Sequence, residues 1–549
     1  MSSVTVIQYV LSRLHDIGIT DIFGVPGDYS FPINDAICDD PDMQWIGCCN
    51  ELNAAYAADG YARIRGVGAV CTTYGVGELS ALNGIAGAYA EHLPLFHLVG
   101  TPGIRTQSSH ALMHHTLGNG EYNMFQSMTA PVVCAQAVMT PQNVAFETER
   151  LIAEALYHRR PVYMAFPADY ANEPVVCSAE PIPLPHSNTD SLNAATDAVV
   201  AALAKAEIAC LLPGVLVART GSQAIMQDLV DATGLPFATM FMAKSVLDEQ
   251  QPGYIGMYDG KLMNEDVRYF VENCDLIIEV GTMHTDFNTG AFTANLPAAK
   301  TINISHHHTT VSGKIYQNVE IKDILEALTR RLRKRKGWTM LQALFQSTST
   351  AHCAGTITAE SLYPRLGNFL QSNDILIAET GTCSMGLGFE RMPEGASFHN
   401  QTLWGSIGWA TPAAFGASIA APDRRVVLVT GEGAHQLTVQ EISQFGRRGL
   451  KPIIFVLNNS GYLIERLLCK DPEIAYNDIA QWRYSELPYA LGCDDWFTAC
   501  VTTCSELDQA IEAAAQGNNG SYIEIVTDAY ESSALAMRLH ESITTLYNS

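Results

Sequence analysis

Two polar loops, Gly431-Glu432-Gly433 and Asn458-Asn459-Ser460-Gly461, hold the residues in this sequence best suited to chemistry. Each follows a short apolar run, Val426–Thr430 and Pro452–Leu457, that predicts a buried strand. Between them, Thr438 and Glu441 have capping-box spacing, so a helix is expected to start there. Gly449, after Arg447 and Arg448, is a fitting stop. A strand–helix–strand unit makes the strands parallel and sets both loops at strand carboxyl ends, where open α/β sheets bind ligands. One loop offers the Glu432 carboxylate and the other the Asn459 amide oxygen, and Gly461 can add a backbone carbonyl. Three hard oxygen donors suit Mg²⁺ shared with a phosphate ligand. Neighbouring glycines and helix N-termini can hold a diphosphate. Either loop alone would be an ordinary turn of a βαβ unit. The pair, with 24 residues between Gly433 and Asn458, is more specific.

The elements that must position these loops belong to a chain too long for one core, at 549 residues. Hydrophobic residues make up 47% and charged residues 16%, which describes a soluble globular protein. The net charge, 32 − 57 = −25, argues against nucleic acid or an anionic membrane as partner. Fourteen cysteines without CxxC spacing predict reduced thiols and a cytoplasmic setting. No stretch reads as a signal peptide or membrane span.

In chain order, strands at Asp21–Val25, Gln44–Cys48, Gly68–Thr73 and Leu95–Gly100 alternate with helices at Val4–Ile17, Leu52–Ile64 and Leu79–Ala90. A Pro-rich linker at 180–188 and a polar stretch at 347–358 divide the chain. The fold class is α/β, with three doubly wound parallel-sheet domains expected at 1–180, 189–345 and 356–549. The first and third look like candidates for copies of one design. The basic run at 330–336 reads as a solvated helix end, and His306-His307-His308 as surface.

Longer motifs add a resemblance. GEG, the 24-residue spacing and NN are similar to the thiamine-diphosphate signature, which has Asp at the Glu432 position. FGVPGD at 23–28, NELNAAYAADGYAR at 50–63, TTYGVGELSALNGIAGAYAE at 72–91 and HHTLGNGE at 114–121 resemble thiamine-diphosphate-dependent 2-oxo acid decarboxylases, the pyruvate and indolepyruvate decarboxylase group. ETGT at 379–382, LWGSIG at 403–408 and GYLIE at 461–465 match as well, so the likeness spans the whole chain.

The resemblance implies roles. Glu432, Asn459 and Gly461 would hold Mg²⁺ against the diphosphate of thiamine diphosphate, with Gly431, Gly433, Ala434, Tyr462, Ile464 and Thr382 lining the cofactor. Gly405 and Ser406 would face the aminopyrimidine, and Ile407 would bend the cofactor from beneath. Glu51 would face N1′ of that ring and drive its amino group toward the imino base; a desolvated carboxyl with a raised pKa serves this best. Asp28, His114, His115 and Glu465 would form the proton-handling cluster. Phe287, Thr380, Ser384 and Ile464 would shape the substrate pocket. Because the two halves of the site come from different subunits in this family, a homodimer is the minimum and a homotetramer is expected.

The implied reaction is non-oxidative decarboxylation of a small-molecule 2-oxo acid to an aldehyde and CO₂. Phe287 narrows the pocket toward pyruvate or another short acid. Against this, Ser384 is small, and Met385 and Leu463 are adaptable. Indolepyruvate, phenylpyruvate or branched-chain acids are the alternative, as is carboligation. A nicotinamide oxidoreductase is disfavoured, since no GxGxxG lies between a strand and a helix.

Overall fold

The computed structural model describes residues 4–262, 264–334 and 355–543. Most of the expected second linker, and the end of the basic run at 335–336, lie outside the described residues. Among the described residues no helix is long and apolar enough to cross a membrane. Among the described residues twelve cysteines are free thiols. Cys504 is disulfide-bonded, so the expectation of reduced thiols throughout does not hold.

Three sheets form. The first contains β1 (Asp21–Gly24), β2 (Gln44–Gly47), β3 (Gly68–Thr73), β4 (Leu95–Thr101), β5 (Ala135–Val138) and β6 (Val162–Pro167) in the order β2-β1-β3-β4-β6-β5. All its neighbours are parallel. The middle sheet contains β7 (Ala209–Pro213), β8 (Phe237–Thr239), β9 (Tyr254–Met257), β10 (Leu276–Val280), β11 (Thr301–Ile304), β12 (His308–Val311) and β13 (Lys314–Gln317). Its order is β13-β12-β11-β10-β7-β8-β9, and the β11-β12-β13 edge is antiparallel. The third sheet contains β14 (Ile375–Ala378), β15 (Ser397–His399), β16 (Val426–Gly431), β17 (Ile453–Asn458), β18 (Phe497–Val501) and β19 (Ser521–Val526). Its order β15-β14-β16-β17-β19-β18, all parallel, repeats the topology of the first sheet strand for strand. The sequence suggested this duplication and the topology shows it.

In both outer sheets the strand order reverses between the first and third strands, β1/β3 and β14/β16. Such a reversal leaves a crevice at the strand carboxyl ends, the usual ligand position of open α/β sheets. Both loops that opened the sequence reading follow adjacent strands of the third sheet, β16 and β17.

The helix expected from Thr438 is present as a 3₁₀ turn at Val439–Glu441 running into the helix Ile442–Arg447, and a further short helix, Glu432–Thr438, precedes it. The two residues read as a capping box are used elsewhere. Thr438 Oγ1 donates to Gly408 O at 2.6 Å. The Glu441 carboxylate accepts from Cys49 N at 3.2 Å and Asn53 Nδ2 at 2.8 Å in the first domain. The histidine run is not a free surface either. His307 stacks on Tyr157 of the first domain at 4.1 Å and pairs with Glu320.

The first and third domains meet through two helices, Glu51–Arg65 and Ala410–Ala420. Their crossing is lined with Ala and Gly because the backbones nearly touch. A Cβ on Gly416 would stand 1.8 Å from Ala57 O, and one on Gly60 would stand 2.1 Å from Ala413 O. Above this crossing Asp59 binds Arg63 Nε at 2.7 Å and Trp409 Nε1 at 2.9 Å. Overpacking a core costs about 1–3 kcal/mol where side chains can shift, and a backbone carbonyl shifts least. Gly416→Val is therefore expected to destabilise the protein by roughly 3 kcal/mol or more, read as a lower denaturant midpoint. An unchanged midpoint would contradict this packing.

Candidate active site

Glu432 is the first residue of its helix and is 1% exposed. Its Oε1 accepts the backbone N–H of Asn459 at 3.1 Å and of Gly461 at 3.0 Å. The longer glutamate side chain thus spans from the β16 loop to the β17 loop and ties them together. Burial pushes its pKa up to about 7, against the pull of these N–H donors. Beside it, Asn459 Oδ1 is buried and has no hydrogen-bond partner among the described residues. Gly433 has to lack a side chain, because a Cβ would stand 2.6 Å from the Tyr462 ring.

At the adjacent β14 end sits Glu379, fully buried. Its Oε1 accepts from Thr380 N at 2.9 Å, and its Oε2 accepts from Gly408 N at 3.1 Å and Ala410 N at 3.2 Å. This carboxylate fixes the end of the Gly405-Ser406-Ile407 loop next to the helix Thr382–Leu387. Gly405 takes φ 61°, the left-handed region natural to glycine. Thr380 Oγ1 donates to Gln401 O at 3.1 Å, and Ser384 Oγ donates to Gly381 O at 3.0 Å. Ser406 lies 2.6 Å from Tyr56 OH, and Asn83 Nδ2 donates to both oxygens. Ile407 is half-buried, and Gly431 and Ala434 flank Glu432 as expected.

In the first domain, Glu51 opens its helix behind Asn50, whose side chain accepts from Asn53 N. Glu51 is half-buried, and desolvation raises its carboxyl pKa. Its Oε1 would stand 3.2 Å from a Cβ on Gly77, so Gly77 leaves room for it. Asp28, at the β1 end, accepts from His114 Nε2 at 2.8 Å. The ring of His114 stacks on Tyr29 and lies edge-on to His115. His115 adopts φ 69°, and its carbonyl would stand 2.5 Å from a Cβ on Gly75. Asp28, His114 and His115 are thus brought together as expected.

Phe287 and Ile464 line a cavity of about 170 Å³ together with Met385. Glu465, on the helix Leu463–Leu468, is exposed. Among the described residues no hydrogen bond or ion pair joins Glu465, Glu432 or Asn459 to Asp28, Glu51, His114 or His115 of the same chain.

Sequence reasoning gave no role to Glu379, Glu78 or Asp259. Glu78 is buried, accepts from Gly75 N at 2.8 Å and Tyr163 OH at 3.0 Å, and so holds the turn beneath His115. The available signal for Glu379 was a charged residue directly after the apolar run Ile375–Ala378. Such a residue must find partners on burial.

Comparison with known proteins agrees with this geometry. Three family descriptions match: "Thiamine pyrophosphate enzyme, N-terminal TPP binding domain" over 4–121, "central domain" over 196–332 and "C-terminal TPP binding domain" over 379–525. The alpha-keto-acid decarboxylase of Mycobacterium leprae (strain TN) is 39% identical over 517 residues, 93% of this chain and 90% of that protein. That of Mycobacterium tuberculosis (strain ATCC 25618 / H37Rv) is 37% identical over 534 residues, 96% of this chain and 95% of that protein. The fold matches an X-ray structure from Mycobacterium smegmatis, a protein provisionally assigned as a thiamin diphosphate-dependent enzyme. The TM-score is 0.78 at 20% identity, covering 96% of this chain and all of that one. The chain belongs to the thiamine-diphosphate-dependent 2-oxo acid decarboxylases, a group of carboxy-lyases.

Replacing Glu379 by Gln would set an amide –NH₂ against backbone N–H donors. A buried donor left unpaired costs about 1–3 kcal/mol. Glu379→Gln is expected to keep the fold by circular dichroism and weaken thiamine diphosphate binding at least about tenfold. Unchanged affinity would show that the 405–410 loop does not depend on Glu379.

Proposed function

We propose that the chain catalyses non-oxidative decarboxylation of a 2-oxo acid to an aldehyde and CO₂ with thiamine diphosphate and Mg²⁺. The observation that carries the metal assignment is Asn459 Oδ1, a buried carbonyl oxygen without a partner beside the buried Glu432 carboxylate. A buried polar group needs a partner, and a divalent cation satisfies both oxygens, with the Gly461 carbonyl as third donor. Gly431, Gly433 and Ala434 leave the β16 end open to a diphosphate, and Thr382, at the start of its own helix, faces the same crevice between β14 and β16.

Bound thiamine diphosphate supplies a nucleophilic thiazolium carbon and an electron sink for the carbanion left by CO₂. The protein supplies protons and shape. Glu51, with its pKa raised by desolvation, would hold a proton toward the pyrimidine N1′. Gly405, Ser406 and Ile407 would hold the cofactor's aminopyrimidine end. Asp28, His114, His115 and Glu465 position the substrate carboxylate and deliver the proton to the departing aldehyde. Glu51 lies in the first domain and Glu432 in the third, and the family resemblance supports assembly of complete sites between subunits of a homodimer or a homotetramer.

The domain bounds we propose are 1–180 for the pyrimidine half, 189–345 for the middle domain and 356–549 for the diphosphate half. For substrate size, Phe287 supports pyruvate or another short acid. The cavity of about 170 Å³ beside Phe287 supports a second reading, a larger side chain. An apolar protein cavity of about 150 Å³ accommodates benzene.

Release of CO₂ and aldehyde from pyruvate, 2-oxopentanoate, phenylpyruvate and indolepyruvate tests the reaction and ranks the substrates. Activity is expected to vanish with EDTA and return with Mg²⁺. Glu51→Gln is expected to bind thiamine diphosphate yet lose at least about 10²-fold in kcat; near-normal turnover in that variant would remove Glu51 from its role.

A further inference from the structure

The apolar cavity beside Ile464 has one buried polar wall that the reaction above does not use. Asp259 follows β9 and is 2% exposed. It lines the cavity with Leu262, Phe287, Met385 and Ile464. Its backbone is held on both sides. Asp259 O accepts Leu262 N at 3.1 Å, and it would stand 2.2 Å from a Cβ on Gly290, a glycine at φ 57°. Its carboxyl oxygen Oδ1 is buried and has no hydrogen-bond partner among the described residues. The second carboxylate at the cavity, Asp286, is different: it is exposed, and its Oδ1 accepts from Phe287 N at 2.9 Å. Burial pushes the Asp259 pKa up to about 8, against the pull of the Gly290 N–H. Near neutral pH its carboxyl is therefore mostly protonated, and it can both donate and accept.

A carboxyl with one oxygen left unpaired in an apolar wall is unfavourable unless something fills its remaining hydrogen-bonding capacity. Most of the wall is hydrocarbon, so the occupant is an apolar body with one polar end. We propose that Asp259 recognises the far end of the substrate side chain, so that the cavity selects 2-oxo acids whose apolar side chain ends in a hydroxyl group. This rests on the decarboxylase reading and names the substrate class within it. The side-chain body packs on Phe287, Met385 and Ile464, and the terminal hydroxyl bonds Asp259. A site built to pair a hydroxyl discriminates against the analogue that lacks it, because the protein group is then left unpaired. Asp259 is a specificity residue here and takes no part in the bond-breaking step.

The test compares matched pairs in the holoenzyme: 4-hydroxyphenylpyruvate against phenylpyruvate, and 5-hydroxy-2-oxopentanoate against 2-oxohexanoate. Wild type is expected to favour the hydroxylated member of at least one pair by about tenfold or more in kcat/KM. Asp259→Asn, which keeps a donor and an acceptor, should retain the preference, and Asp259→Leu should abolish or invert it. A wild-type ratio near one in both pairs overturns the proposal. So does a loss in Asp259→Leu that lowers both members equally, which marks a merely structural residue. Binding of 3-(4-hydroxyphenyl)propionate and 3-phenylpropionate, measured by calorimetry, reads the preference without turnover. If no 2-oxo acid releases CO₂, the decarboxylase reading has failed; equal binding of the two propionates overturns the Asp259 proposal separately.

Discussion

A carboxylate removed from water must be hydrogen-bonded or paired, or it will not stay ionised. This protein uses that constraint repeatedly. Glu78, Glu379 and Glu432 are buried at or beside strand ends, and each captures backbone N–H groups of a loop that would otherwise be free. Glu91 does the same between domains: its Oε1 accepts from Leu403 N at 2.7 Å, and its carbonyl accepts from Arg219 Nε of the middle domain at 2.9 Å. Desolvation raises Glu78, Glu379 and Glu432 to about 7. The N–H donors oppose that rise, and their geometry is satisfied by the ionised form. Loops held this way keep their backbone polar groups aimed at the crevice, which is the preorganisation that binding a charged cofactor requires.

The second constraint is topological. The first and third sheets share one strand order, so each has one reversal and one crevice. In the third domain the crevice gathers Glu379 and Glu432 from the ends of β14 and β16, with Asn459 from β17 next door. In the first domain it gathers Asp28 and the Gly75–Gly77 turn from β1 and β3, with Glu51 following β2. The same architecture therefore presents an oxygen-rich set of donors in one copy and a carboxyl–imidazole set in the other. The division of labour lies in the loops, as expected when a rigid scaffold carries function on its connections. The tight Gly60/Ala413 and Gly416/Ala57 crossing fixes the orientation of the two copies within one chain.

Much of this was legible in the sequence because local signals and global fold agree. β3 falls where the apolar run places it, and β4 does so to within one residue. Gly66, at φ 88°, closes the Glu51 helix, and Gly449, at φ 65°, follows the stretch ended by Arg447 and Arg448. The helix before Arg447 lies where expected, but no capping box forms there, because Thr438 and Glu441 bond to Gly408, Cys49 and Asn53, partners distant in sequence, and the short Glu432–Thr438 helix ahead of it carried no signal. His306-His307-His308 reads as polar surface, yet it packs on Tyr157 and Glu320, a contact between domains that periodicity does not encode. Glu379 and Asp259 were passed over for the same reason, since the partners of the one and the cavity beside the other exist only after folding.

The central claim is that the two loops joined by Glu432 hold a divalent cation and, through it, the cofactor diphosphate. Calorimetric titration of thiamine diphosphate with Mg²⁺ into wild type, Glu432→Asp and Glu432→Ala tests it directly. The Asp variant should bind about as tightly as wild type or tighter, and the Ala variant should lose Mg²⁺-dependent binding. Unchanged affinity in Glu432→Ala, with the same dependence on Mg²⁺, would contradict the account.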